Sequence, residues 1–243
     1  MPYQHLLVTV IEFLSHLISQ HILIITMKYI QVDNLLTPSY LARLYKLTSG
    51  MNGFPWFFLS EDISYTPTTA QFGDVPLGDI PEEQKTLGFT HVLLDQEGVE
   101  SPYLPMFQPL LDSVSDALPY PVQFFRARLA LQLANGKDSH NGPHTDHESD
   151  HYAALFYLHD SSGDTVFFHE YDNPLYGDVN QRWQKARLQS YNECFRVTPK
   201  ANKLFAFDGH QFHSSSNPTT NPFRVILNLN FYCEHDLFDF TNS

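Results

Sequence analysis

A histidine and an aspartate two residues apart, His144 and Asp146, place the strongest constraint on how this chain folds. In an extended segment side chains repeat every second residue, so both of these point to the same side. An imidazole nitrogen and a carboxylate oxygen on one side supply two of the three protein ligands of a facial metal site. The third ligand is expected to be a histidine from a distant strand, and the segment Phe207 to Pro218, which contains His210 and His213, offers one.

An arginine inside an apolar run gives a second constraint. Arg224 follows His213 by eleven residues and lies near the start of the run Phe223 to Phe231, in which apolar residues alternate with Asn228 and Asn230. This alternation predicts a strand with one polar face. A buried arginine needs an anion, which is either a bound ligand or a protein carboxylate in a salt bridge.

Other residues compete for the role of metal ligand. The chain has 13 histidines, so a chance His-x-Asp pair in a solvated loop is an alternative interpretation. His147, Asp150 and His151 could form a different cluster, and a His-x-Asp-His run such as His144 to His147 would also suit a zinc hydrolase. His210 competes with His213, but it follows a glycine and is interpreted as a turn residue. A hydrolytic zinc site has no general need for a buried arginine, which favours the facial site.

Period-two alternation and helical spacing predict the remaining elements. Phe124–Leu133 reads as a strand whose polar face, with Arg126 and Arg128, is interpreted as solvated, and the alternative is that these arginines line the pocket. A strand at Phe89–Leu94 contains His91, interpreted as a packed histidine. Two hairpins are predicted, one from Tyr152–Leu158 with Thr165–Phe168 and one from Cys194–Thr198 with Leu204–Phe207. Two helices are predicted at Pro38–Leu47 and Met106–Leu118. A long loop is predicted at Tyr171–Gln189.

These elements imply a mainly β protein with N-terminal helices, folded as a double-sheet, cupin-like jelly roll. Residues 27–243 are interpreted as a single domain with its core at 120–232. Residues 1–26 form an apolar extension without the basic segment of a signal peptide. Polar residues interrupt it too often for a membrane span. We interpret it as an amphipathic helix that is dispensable for catalysis.

The ordered set of His144-x-Asp146, His213 and Arg224 resembles the Fe(II)- and 2-oxoglutarate-dependent oxygenases, particularly the prolyl 4-hydroxylase-like group. The resemblance covers roughly residues 120 to 232 and implies a double-stranded β-helix. It implies that the two histidines and the aspartate bind Fe(II), and that Arg224 binds the distal carboxylate of 2-oxoglutarate. Tyr157 resembles a tyrosine that contacts this cosubstrate, with a core tyrosine as the alternative. O2 is the second cosubstrate, and ascorbate is expected to maintain activity.

Composition narrows the function further. With 14 basic and 27 acidic residues the net charge is −13, which disfavours a nucleic-acid partner. The expected substrate is a peptide side chain, such as proline, or a small metabolite, and a nucleobase is the alternative. Two cysteines favour a reducing compartment, so the predicted location is cytoplasmic. A zinc-dependent hydrolase on a cupin-like barrel and a non-catalytic jelly-roll binding module remain alternative functions.

Overall fold

Two antiparallel sheets contain all the strands of the part of the chain that the computed structural model describes, which is residues 27–49, 53–59, 88–136, 140–175 and 177–239. The predicted helix within residues 1–26 lies outside the described residues. The elements are β1 (Tyr29–Asp33), α1 (Pro38–Thr48), β2 (Phe57–Leu59), β3 (Gly88–Leu94), α2 (Leu104–Ala117), β4 (Val122–Leu133), β5 (Tyr152–Tyr157), β6 (Thr165–Tyr171), α3 (Val179–Leu188), β7 (Glu193–Val197), β8 (Lys203–Asp208), β9 (Gln211–Ser215) and β10 (Phe223–Cys233).

The large sheet has the strand order β1-β8-β5-β10-β4-β3-β2, and the small sheet has the order β7-β6-β9. Strands β5 and β6 therefore belong to different sheets, and so do β7 and β8. Both predicted hairpins are wrong for this reason. Strand β5 pairs with β8 and β10, whereas β6 pairs with β7 and β9. The two turns, one with Gly163 and one with Pro199 and Asn202, carry the chain from one sheet across to the other, which is how a double-sheet jelly roll is built.

Helices α1 and α2 cover the outer face of the large sheet. The apolar stripe of α2, which is Phe107, Leu110, Leu111 and Val114, is buried as its spacing predicted. It belongs to the same core cluster as apolar residues of β4 and β10. Burial of one such side chain stabilises the fold by about 1.5–3 kcal/mol. The predicted N-terminal helices are confirmed, and their packing fixes which face of each strand is the outer one.

The inner face of the large sheet meets the small sheet in a second apolar cluster. Strand alternation decides which residues lie there. On β10 the outward side chains, from Val225 to Phe231, join the helix-side core, so that Arg224, Asn228 and Asn230 point between the sheets. Strand β4 pairs with β10 along its whole length and follows the same rule. The polar residues of two central strands are thereby collected on one inner surface.

The segment 171–189 is not the long loop that its Pro and Gly residues predicted, because helix α3 occupies its second half. Asp178 begins the helix with a capping box, in which its carboxylate accepts from the Gln181 backbone and the Gln181 side chain accepts from the Asp178 backbone. None of the helices in the described residues is long and apolar enough to cross a membrane. Cys194 and Cys233 are both free thiols.

Candidate metal centre

Backbone pairing between two distant segments places the first pair of site residues. The His144 amide donates to the His213 carbonyl at 2.9 Å, and the His213 amide donates back to the His144 carbonyl at 3.0 Å. The Asn141 amide also donates to Ser215 of β9, and the Ser214 hydroxyl donates to the Asn141 carbonyl. The ligand segment therefore runs along β9 as an additional short strand. The His144 and His213 rings are neighbours across the pair, with centroids 4.7 Å apart and ring planes tilted by 51°.

His144, Asp146 and His213 come together as one cluster. One ligand atom from each side chain lies within 4.8 Å of the other two, and the His213 Nε2 is 3.8 Å from the Asp146 Oδ2. Among the described residues no other group of three possible ligands is this compact. Asp146 and His213 are almost fully buried. The three side chains can act as ligands to one metal ion, and all three would lie on the same side of that ion.

The backbone fixes which nitrogen of each histidine is available. The His144 Nδ1 lies 3.0 Å from the Gly142 carbonyl, and the His213 Nδ1 lies 3.1 Å from the Gln211 carbonyl. A carbonyl accepts only, so each Nδ1 carries the proton and each Nε2 presents its lone pair to the cluster. Burial lowers the pKa of His144 to about 4, so its imidazole is neutral at pH 7.

Two asparagines of β10 orient the aspartate. The Asn230 amide donates to the Asp146 Oδ2 at 3.0 Å, and the Asn228 amide donates to both carboxylate oxygens at 3.2 and 3.0 Å. Burial acts to raise the pKa of Asp146, but the His213 and Arg126 side chains and the Asn230 amide outweigh it. The net effect holds that pKa below its ordinary range. Asp146 is therefore an ionised, oriented ligand.

A cavity leads from the histidines to Arg224 at its other end. Arg224 is 1% exposed, and it has the largest volume of the fully buried side chains among the described residues. Its guanidinium donates to Gln132 at 3.0 Å and to the Thr165 hydroxyl at 2.6 Å, while its Nε has no partner. No carboxylate of the described residues forms an ion pair with it. The structural salt bridge considered from the sequence is therefore not found within the described part of the chain.

Tyr157 lies behind the arginine, on the inner face of β5. The centre of the Arg224 guanidinium is 5.9 Å from the Tyr157 ring centroid, and the tyrosine hydroxyl is 2.9 Å from the Thr165 hydroxyl. Burial raises the pKa of Tyr157, so its phenol is protonated at neutral pH. The side chain supports Arg224 and Thr165, which both line the cavity. The direct contact between Tyr157 and the cosubstrate, which the resemblance implied, stays a prediction.

The competing histidines lie in a separate polar cluster. His210, buried in the turn before β9, contacts Asp150 through its Nε2 at 2.9 Å. The His151 Nδ1 contacts the Ser149 carbonyl, and the His147 ring lies against His151. None of these residues joins the compact group of His144. His91 is a packed histidine, as predicted, with its ring nitrogens against Pro55 and Ser101.

Sequence reasoning missed four residues that shape the site. Asn228 and Asn230 were recognised only as members of a polar strand face, and Gln132 and Thr165 had no assigned role. Their signal was present in the alternation of β4 and β10, since a polar face on a central strand needs a partner. Arg128 is a further correction. Its strand face is not simply solvated, because Arg128 lines the cavity together with His144 and Asn228.

Comparison with protein-family models finds no match, and comparison with curated proteins finds none either. Solved structures do match. The non-heme alpha ketoglutarate dependent epimerase SnoN from nogalamycin biosynthesis has a TM-score of 0.53 at 13% identity, covering 84% of this chain and 77% of that one. An oxidoreductase of the 2OG-Fe(II) oxygenase family from Burkholderia pseudomallei has a TM-score of 0.51 at 14% identity, covering 84% of each chain. A Pseudomonas putida prolyl-4-hydroxylase has 0.46 at 12% identity, covering 86% and 94%.

At these identities the likeness establishes the fold. The chain has the double-stranded β-helix that these 2-oxoglutarate-dependent proteins share, which confirms the predicted jelly roll and the resemblance at the level of architecture. The alignment with the prolyl-4-hydroxylase is too weak to support that subgroup. Because SnoN is an epimerase, the fold also leaves the type of oxidation undecided.

Proposed function

We propose that this protein is an Fe(II)- and 2-oxoglutarate-dependent dioxygenase that hydroxylates a peptide side chain, such as proline, or a small metabolite. One observation carries the proposal. A compact His-Asp-His group lies at one end of a cavity, and a fully buried arginine without a carboxylate partner among the described residues lies at the other end. A dianion with a chelating keto acid and a distal carboxylate satisfies both ends at once.

The residues at the metal end fit a divalent transition-metal ion. His144 and His213 would bind it through Nε2, and Asp146 through the Oδ2 that faces His213. Metal binding requires neutral imidazoles and an ionised carboxylate. The carbonyl-bound Nδ1 protons and the asparagine-bound carboxylate keep the three side chains in that state and orientation. Two histidines and one carboxylate with open positions are the set that non-haem Fe(II) oxygenases use.

The residues at the arginine end fit a carboxylate. The unpaired Nε of Arg224 and the nearby Thr165 hydroxyl are polar groups that a carboxylate can bridge, and a guanidinium binds carboxylates in a two-point geometry. Between the two ends the cavity wall is apolar, with Ala130, Leu155 and Ile226. Those side chains suit the methylene groups of 2-oxoglutarate and exclude water from the metal end.

Bound iron and 2-oxoglutarate would supply the oxidising power, with succinate and CO2 as by-products and with ascorbate expected to maintain activity. The protein's own contribution is to orient the metal ligands and the cosubstrate and to exclude water from the metal end. The histidines and Asp146 leave one side of the metal position unblocked by protein ligands, where substrate and O2 would approach. Asn228 and Asn230 hold the Asp146 carboxylate in its orientation, and Arg224 would set the direction of the cosubstrate.

The test is anaerobic reconstitution with Fe(II), followed by a succinate assay against peptide and metabolite pools. The parent protein should bind one equivalent of iron and release succinate from 2-oxoglutarate.

His144→Ala should lose most of the iron while its melting temperature changes little. His235→Ala is the matched control, since His235 is an exposed histidine outside the cluster, and it should retain iron. Stoichiometric zinc without 2-oxoglutarate binding would instead identify a hydrolase. Iron binding without any release of succinate would identify a binding module.

Arg224→Lys tests the other end of the cavity. The lysine retains a charge but loses the planar fork, so we expect about 30-fold or greater weakening of 2-oxoglutarate binding, as for a lost buried charged contact, with iron binding unchanged. The measurement is a 2-oxoglutarate titration of the iron-loaded protein without oxygen. A variant that titrates like the parent would show that Arg224 serves structure alone.

A further inference from the structure

Strands β4 and β10 form a polar floor beneath the cavity. Their residues pair across the two strands, and alternate pairs face inward, so the floor is a ladder of side-chain pairs. From the arginine end to the far end these pairs are Arg224 with Gln132, Ile226 with Ala130, Asn228 with Arg128, and Asn230 with Arg126. Each step advances about 7 Å along the strands. Arg128 therefore lies at the level of the asparagines that hold Asp146, two steps from Arg224.

Arg128 has no anion of its own. Its half-buried guanidinium lines the cavity, and its buried Nε has no hydrogen-bond partner. Within the described ranges no hydrogen bond or ion pair reaches this side chain. Asp146 is the nearest opposite charge that acts on it, but the asparagines occupy that carboxylate. The adjacent Arg126 donates only to the Asp146 backbone carbonyl, at 3.2 Å. Repulsion from Arg126, together with burial, lowers the pKa of Arg128 to about 9, so it remains charged at pH 7.

A charge balance shows that the cosubstrate leaves this arginine unmatched. Under the proposed function, 2-oxoglutarate brings two negative charges. Arg224 matches one of them, and a divalent ion whose charge is reduced by Asp146 matches the other. Arg128 then remains as an uncompensated cation beside the position where oxidation occurs. A buried or half-buried cation is unfavourable without an anionic partner.

We infer that the group oxidised at this site belongs to a small molecule with an anionic substituent, a carboxylate or a phosphate, which Arg128 binds beside the metal position. The inference rests on the proposed function and names the substrate class for it. Arg128 is then the residue that determines specificity, and Arg126 adds to the attraction. The protein's charge of −13 supports a small anion over a polyanion, because the positive site is enclosed within an acidic molecule.

The experiment measures binding of a second anion rather than turnover. The full chain is loaded without oxygen with Mn(II), a divalent ion that substitutes for Fe(II), and with saturating 2-oxoglutarate. Inorganic phosphate and acetate are then titrated by calorimetry at constant ionic strength. The parent should bind at least one of these saturably. Arg128→Gln should weaken that binding about 30-fold or more, the change expected for a lost buried charged contact, and Arg128→Lys should have an intermediate effect. Arg43→Gln, on the exposed face of α1, is the control and should bind like the parent.

The outcomes separate this inference from the proposed function. If Mn(II) or 2-oxoglutarate fails to bind the parent, the proposed function is wrong and the inference fails with it. If both bind and neither anion binds saturably, only the inference is wrong. The same conclusion follows if Arg128→Gln and the parent bind the anions equally, or if the anions bind only by displacing 2-oxoglutarate. Unchanged Mn(II) affinity and melting temperature in Arg128→Gln would establish that the loss is local.

Discussion

Asp146 illustrates how single residues support the site. A buried carboxylate is normally unfavourable, and burial alone would raise its pKa and protonate it. The His213 and Arg126 side chains outweigh this effect and lower the pKa, and Asn228 and Asn230 donate three hydrogen-bond contacts from one strand. Hydrogen bonds to a charged group are stronger than those between neutral groups, and they also fix its orientation. At the scale of residues, the candidate ligand therefore depends as much on two neutral amides as on its own charge.

Asn230→Ala is the residue-scale prediction. It removes one donor to the Asp146 Oδ2, so we expect metal affinity to fall by about 10- to 100-fold, as for loss of a group that orients a ligand. Asn217→Ala is the matched control, because Asn217 is an equally buried asparagine that donates to the Leu133 carbonyl instead. Both variants should lose similar stability. Equal metal affinity in the two variants would show that Asn230 does not support the ligand.

At the scale of elements, the turn between β8 and β9 connects the ligand loop to the small sheet. The Gly209 amide donates to the His151 carbonyl, and the His151 ring packs directly against the Gly209 α-carbon. A β-carbon at this position would overlap the imidazole. Glycine is therefore required here by close approach. The turn and the loop that contains Asp146 are in this way packed as one unit, at the end of the barrel where the metal ligands meet.

We predict that Gly209→Ala destabilises the protein by about 1–3 kcal/mol, the usual effect of inserting a methyl group into a packed site. Urea unfolding gives this value. Combining it with His151→Ala, which removes the ring, should recover part of the loss, because residues in contact are energetically coupled. If the losses in unfolding free energy of the two single variants simply add in the double variant, the His151 ring moves aside in Gly209→Ala without strain.

At the scale of the whole molecule, several buried histidines make stability depend on pH. Burial lowers the pKa of His151 to about 4, well below its ordinary value. Its contribution to stability is therefore fully present above about pH 6.5 and is lost as the pH falls towards 4, because the unfolded chain takes up the proton first. His210 acts in the opposite direction. Burial acts to lower its pKa, but the nearby Asp172 and Asp150 carboxylates give a net rise, so its contribution to stability is lost as the pH rises.

Chelator-treated protein should therefore lose about 2 kcal/mol of unfolding free energy through His151 between pH 7 and pH 5. Urea unfolding at a series of pH values measures this. His151→Gln cannot take up a proton at this position and should show a shallower pH dependence, whereas the exposed His235→Gln should follow the parent. Parallel curves for the parent and His151→Gln would contradict this account.

The prediction for residues 1–26 also belongs to the whole molecule. A shortened chain that begins at Met27 should fold, bind iron and turn over 2-oxoglutarate, since β1 starts at Tyr29 and pairs with β8 inside the large sheet. Circular dichroism, iron content and succinate release are the measurements. Insolubility of the shortened chain, with the full chain soluble, would indicate that the N-terminal extension covers apolar surface.

The sequence alone determined everything that depends on local periodicity. Side chains on a strand alternate with a period of two, so the spacing of His144 and Asp146, the inward row of Arg224, Asn228 and Asn230, and the apolar stripe of α2 could all be predicted from the order of residues. Composition and strand count then favoured a jelly roll. These inferences hold because backbone geometry, rather than the surroundings, decides where such side chains point.

The tertiary structure alone decided which segments meet. Pairing between strands far apart in sequence depends on packing of both faces of each strand, which no local pattern reports. The chain therefore crosses between sheets at two turns that look like hairpins, and it pairs the backbone of His144 with that of His213. Arg128 is turned into the cavity by the same long-range pairing, because its cross-strand neighbour Asn228 belongs to the strand that holds the site.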